Sequence, residues 1–156
     1  LQEAAKVMGI QDLRMMGLRD KTIEFESEEY LTNMVSSAIN ELNPSLVITF
    51  YPGYSVHPDH EATGRAVIHA LERMPKEKRP KLYCVAFAHN SEEDLGKPDI
   101  AHDVSAYKEV KIAAIKAHRS QTQLMTKAAE DGNAEHNAEL MNRLQTEYFW
   151  SYKWND

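Results

Sequence analysis

Apolar side chains at Leu31, Met34, Val35, Ala38, Ile39 and Leu42 recur at spacings of three and four, the repeat of one helical face. Ser27 stands before the run as an N-cap, Glu28 and Glu29 suit the positive helix end, and Asn43-Pro44 ends it. Leu46-Val47-Ile48-Thr49-Phe50 is almost wholly apolar, too short for a helix and bounded by turn residues, so it predicts a buried strand. A second helix is predicted from Asp59 to Met74, with Ala62, Ala66, Ala70, Leu71 and Met74 inward, and a second buried strand from Leu82 to Ala88. Weaker patterns fill the rest. Leu1 to Gly9 reads as a helix tail closed by a glycine, Leu13 to Met16 as a short strand ended by Gly17, and the segment with Arg19, Asp20 and Lys21 as a polar loop. Lys76 to Pro80 reads as a solvated turn, His89 to Lys97 as a polar loop, and Ile100 to Val104 as a short edge strand. Ser105 would cap a helix from Ala106 to about Arg119, and the remainder to Trp150 is helical in composition with a break at Asp131-Gly132-Asn133. Strands alternating with helices imply an α/β fold, a three-layer αβα arrangement with a mostly parallel sheet covered on both faces.

Composition narrows this reading without changing it. The 156 residues suffice for a single domain, 1–156, with a real core. A net charge of −6 with mixed signs along the chain disfavours nucleic acid, whose phosphates need a basic face. No apolar run reaches membrane-spanning length. The single Cys84 excludes an internal disulfide and fits a reducing cytoplasm. The helix tail at Leu1 has neither an initiator Met nor an N-cap before it, so the natural protein is expected to begin upstream.

The candidate chemistry lies in His57-Pro58-Asp59-His60. This cluster follows the strand ending at Phe50 and opens the next helix, the place where open α/β sheets bind ligands. Two readings stand side by side. In the plain one, Pro58 occupies a first-turn position, Asp59 stabilises the helix N-terminus, and the histidines are incidental. In the functional one, one imidazole binds zinc while the other moves a proton or stabilises an oxyanion, held in its tautomer by Asp59. Tyr51, Tyr54 and Ser55 would then form a pocket wall. A catalytic zinc needs three protein ligands and an open position, and the cluster supplies one or two.

The cluster, opening a helix after a buried strand, resembles the second motif of the PIG-L/LmbE-like zinc deacetylases. Leu1 to Ile10 resembles the helix before that family's third strand. Lys111 to Gln121, with Lys116, His118, Arg119, Ser120 and Gln121, resembles its K-x-x-A-x-x-x-H-x-S-Q segment, and Glu147-Tyr148-Phe149 its late E-x-F element. Within the family the chain looks closest to the bacillithiol-biosynthesis deacetylases, which act on N-acetylglucosaminyl malate. The resemblance implies a Rossmann-like fold lacking its first strand, and hydrolysis of an N-acetyl group from a glucosamine conjugate. It implies His60 as a zinc ligand, His57 as general acid and stabiliser of the tetrahedral intermediate, and Asp59 as the group that orients His57. The family's first motif, H-P-D-D-E, which supplies the other ligands and the general base, does not occur in this sequence and is expected upstream of Leu1. Alone, the fragment would be inactive and bind zinc poorly.

Other residues have weaker claims. His89, at the end of a predicted strand, faces the same sheet edge and is a candidate substrate contact alongside Tyr54 and Arg119. His118 suits a helix C-terminus. His69, His102 and His136 have no visible partner in the sequence pattern and read as surface residues. The aromatic C-terminus, Tyr148 to Trp154, suits packing on a sheet edge or against a second subunit of a homo-oligomer. Cys84 reads as inert core. The competing hypothesis is a non-catalytic binding or oligomerisation module with a relic cluster, and an upstream H-P-D-D-E would decide against it.

Overall fold

The computed structural model describes residues 1–118, 142 and 144–154. In chain order its elements are α1 (Gln2–Val7), α2 (Glu28–Leu42), β1 (Leu46–Phe50), α3 (Pro58–Glu72), β2 (Lys81–Val85), α4 (Ser91–Leu95), β3 (Ile100–Asp103), α5 (Lys108–Ala117) and β4 (Thr146–Ser151). The strands lie in the order β1-β2-β4-β3. β1 and β2 run parallel, with Leu46 opposite Lys81 and Phe50 opposite Val85. β4 runs antiparallel to β2, with Tyr83 opposite Ser151. The fold is α/β as expected, but the sheet is mixed rather than mostly parallel. No helix among the described residues is long and apolar enough to cross a membrane.

Two compact units are described separately: Gly17–Ile100 with Tyr148–Asp156, and Leu1–Met16 with Ala101–Glu147. The first holds the main core. Ile39 of α2, Val67, Ile68, Ala70 and Leu71 of α3, and Leu82 and Cys84 of β2 are buried together. Ser27 caps α2 through its hydroxyl, which accepts the Tyr30 N–H, and Asn43 ends the helix at φ 44°, a left-handed value that asparagine tolerates. The inward alanines of α3 are buried as the periodicity requires. Between them, Gly64 lies against β1 so closely that a Cβ there would stand 2.8 Å from the Phe50 carbonyl oxygen. Only glycine allows that approach, which fixes the first turns of α3 at the end of β1.

β4 corrects the expectation of a helix reaching Trp150. Thr146-Glu147-Tyr148-Phe149-Trp150-Ser151 is rich in residues that fit a pleated, half-buried surface, and that preference outweighs the helix-forming composition upstream. Trp150, Tyr152 and Trp154 of the aromatic tail pack against the core, while Tyr148 is exposed. The Trp150 indole N–H donates to the Gly96 carbonyl at 2.8 Å, and the Arg79 guanidinium stacks 4.5 Å over Trp154.

In the second unit, α1 ends as predicted, with Gly9 at φ 68°. Ala4 and Ala5 are buried on α1, and Ala114 on α5. Lys111 of α5 pairs with Glu147 at 2.5 Å.

Several local expectations are corrected. Residues 13–16 form no strand: the backbone there belongs to no sheet ladder, and Leu13, Met15 and Met16 are exposed. Ser105 opens a 3-10 turn instead of capping α5, its N–H taken by Asp103. β2 stops at Val85 because the next amides turn away, Phe87 and Ala88 donating to the Tyr54 carbonyl. The polar loop after it contains α4. The break expected near Gly132, and His136, lie outside the described residues.

Candidate active site

β1 delivers the chain to the sheet's C-terminal edge, residues 51–57 turn there, and α3 leaves it. His57 is the N-cap of α3, its Nδ1 accepting the Asp59 N–H at 3.2 Å, and Pro58 follows in the first turn. The plain reading of the cluster is therefore realised: it starts a helix. That bond also makes Nδ1 an acceptor, so a neutral His57 carries its proton on Nε2.

Asp59 is buried, and its carboxylate turns toward the loop before α2. It accepts the Lys21 N–H at 2.6 Å and the Glu24 N–H at 3.2 Å. The loop so held brings Asp20 to the site. Ligand atoms of Asp20, His57 and Asp59 lie within 4.8 Å of one another, a group able to hold a cation. The sequence pattern missed Asp20, which read as one polar residue among three. No spacing links position 20 to position 57, and only the two amides on Asp59 bring them together.

His60 projects from the next position. Its ring stacks on Phe50 at 4.1 Å with 5° between planes, and its centroid is 5.0 Å from that of His57. Its Nδ1 is buried and has no hydrogen-bond partner. Leaving such an atom unsatisfied costs about 1–3 kcal/mol. An imidazole nitrogen held this way next to a second imidazole suits a divalent cation, and the donor set of His and Asp in this turn fits zinc among others.

The Tyr54 hydroxyl donates to Asp94 at 3.3 Å, and its ring meets Tyr51 edge-on at 5.6 Å. Desolvation, then the charge and hydrogen bond of Asp94, push its phenol up. His89 is exposed in the turn before α4. Arg119 lies outside the described residues. His118 is the C-cap of α5, as the structural reading expects. His69 is not partnerless: its Nδ1 lies 2.9 Å from Glu28. Burial pushes the Cys84 thiol up to about 12, which keeps it unreactive.

Comparison with known proteins places the chain in a family. The profile of the PIG-L family, described as GlcNAc-PI de-N-acetylase, matches residues 1–71, which include the whole His57–His60 cluster. The chain is 46% identical, over all of its length and 71% of the relative's, to a protein of Bacillus subtilis (strain 168) named probable N-acetyl-alpha-D-glucosaminyl L-malate deacetylase 2. The chain belongs to the PIG-L family. A Bacillus anthracis protein of the same name is 47% identical across the whole chain and 69% of its own length. Among solved structures, a conserved protein from Thermus thermophilus superposes with a TM-score of 0.64 at 22% identity, covering 97% of this chain and 70% of that one. The N,N'-diacetylchitobiose deacetylase of Pyrococcus horikoshii gives 0.63 at 20% identity, covering 95% and 60%. At those identities the likeness is one of fold. The PIG-L assignment rests on the Bacillus relatives.

Proposed function

We propose that the protein is a metal-dependent N-deacetylase that hydrolyses the acetamide of an N-acetylglucosamine conjugate, N-acetyl-α-D-glucosaminyl L-malate, in the cytoplasm. The observation that carries this reading is the buried, unpartnered Nδ1 of His60, on a ring next to that of His57, whose ligand atom lies within 4.8 Å of those of Asp59 and Asp20. It occurs in a chain 46% identical to a relative named for that reaction. A Rossmann-like layering around the mixed sheet belongs to the same reading.

His60 would hold the metal. Zinc, when bound, supplies Lewis-acid polarisation of the acetyl carbonyl and of the attacking water. Hydrolysis breaks the amide C–N bond, sends the hydroxyl of water to the acyl carbon, and requires a proton on the departing nitrogen. His57 supplies that proton from Nε2 as the imidazolium, in which both ring nitrogens donate, so its Nδ1 gives up the Asp59 amide in that state, with Asp59 and Asp20 beside the ring. Tyr54, His89 and Arg119 are assigned to substrate contact. The reading assigns the remaining metal ligands and the general base to an H-P-D-D-E motif outside this sequence, in a full-length protein.

The test is acetate release from N-acetylglucosaminyl malate by the full-length protein. His60→Ala should abolish both tight zinc binding and turnover. Full zinc and full turnover in that variant would overturn the assignment.

A further inference from the structure

The loop that presents His57 is strained where it meets that residue. The His57 N–H donates to the Ser55 carbonyl at 2.7 Å, a bond spanning one intervening residue, Val56. Val56 has φ 67°. This is the rarer, strained form of γ-turn, and a β-branched side chain occupies its centre. The side chain is 72% exposed, so no apolar burial offsets the strain. Such a conformation persists only when its surroundings over-determine it.

The surroundings here are the first turn of α3. The Glu61 carboxylate accepts the Gly53 N–H on Oε2 and the Ser55 N–H on Oε1, both at 2.6 Å. The Ser55 hydroxyl, fully buried, donates to the Tyr51 carbonyl at 2.8 Å. Each carboxylate oxygen thus holds one amide on the near side of Val56, while the Glu61 N–H donates to the His57 carbonyl at 3.0 Å on its far side. Charge-assisted bonds of this kind are about twice as strong as neutral ones.

We infer that Glu61 is a positioning residue: its carboxylate clamps Gly53 and Ser55 so that the strained Val56 turn aims His57 into the site. The inference rests on the deacetylase reading for its kinetic consequence and on the loop geometry alone for its structural one. Glutamine at position 61 retains one acceptor oxygen and sets an amide NH2 against the other N–H, donor against donor. The turn would relax and carry His57 with it. A displacement of about 1 Å at a catalytic group costs on the order of 100-fold.

The decisive experiment compares Glu61→Gln, Val56→Gly and the double variant in the zinc-loaded full-length protein. Glu61→Gln should lower kcat by about 10- to 100-fold with KM and zinc content unchanged, since the interaction lost is one made in the transition state. Glycine adopts positive φ without strain. Val56→Gly should therefore restore most of the lost rate in the double variant, a rescue that a merely helix-stabilising role for Glu61 would not allow. Wild-type kcat in Glu61→Gln, or a double variant as slow as Glu61→Gln alone, would overturn the inference. Amide hydrogen exchange on the metal-free protein gives a second readout independent of turnover. Exchange at Gly53 and Ser55 should accelerate in Glu61→Gln, and unchanged protection there would refute the clamp. If the wild type released no acetate, the functional reading would fail and the exchange result would decide the clamp by itself.

Discussion

Ser27 and His57 each cap a helix of 15 residues, and each is followed by acidic residues in the first turn. In α2 those acids face outward: Glu28 lies 2.9 Å from His69, and Glu29 lies 2.6 Å from Arg73. In α3 they face inward, Asp59 holding the amides of Lys21 and Glu24, and Glu61 those of Gly53 and Ser55. The same local recipe, a polar cap with carboxylates at the positive helix end, thus serves two purposes. Where the cap is a serine it starts a helix. Where the cap is an imidazole, the first turn also gathers two loops, and the candidate site lies where they meet.

The comparison is broken most severely by separating capping from chemistry. His57→Ser keeps an oxygen able to accept the capping amide and removes the proposed proton donor. Turnover should fall by about 10²–10⁴-fold while the urea midpoint stays within a few tenths of a molar of wild type. Parallel loss of both would mean that His57 matters chiefly as a cap. Asp59→Ala should cost about 3 kcal/mol in denaturant unfolding, because two amides lose a charged acceptor. It should also release Asp20 from the site, which a fall in zinc affinity would report. Gly64→Ala forces a methyl group against the Phe50 carbonyl and should cost about 1–3 kcal/mol, with weaker zinc binding as α3 moves off β1. Ser27→Ala should cost about 1 kcal/mol and leave turnover at the wild-type rate.

The smallest effects concern charge at the surface. The Arg73 hydrogen bond and charge hold the Glu29 carboxyl below the usual range, so its contribution is lost as pH falls through that lowered value. The side chain is solvated, so Glu29→Gln should leave the thermal midpoint at neutral pH within error. Cys84 acts in the opposite direction. Its folded value of about 12 exceeds the ordinary 9.0, so the unfolded chain ionises first and stability declines from pH 9 toward pH 12. Cys84→Ala should flatten that alkaline decline in a pH series of urea melts.

The elements around the site were legible because each is dictated locally. Leu46 to Phe50 has one answer on patterning alone, and the alanine stripe of α3 with Ser27 and Asn43 around α2 leaves little choice. The location of the cluster at a strand's C-terminal edge followed from those two elements. Asp20 and the inward turn of Glu61 were not legible, because they depend on which loop amides a carboxylate meets after folding. β4 was misread for a related reason. Its aromatic residues satisfy a pleated surface only once β2 is beside them, and nothing in positions 146–151 names that partner. Its antiparallel pairing with β2 makes the sheet mixed.

The face-to-face stack of His60 on Phe50 has a spectroscopic consequence. At 4.1 Å and nearly parallel, the imidazole carbon-bound protons sit in the shielding cone of the phenyl ring current. The His60 ring protons are therefore expected to resonate well upfield. Titrating zinc into the protein in deuterated buffer should move that one line first, giving a direct reading of metal arrival at a single side chain without any substrate present.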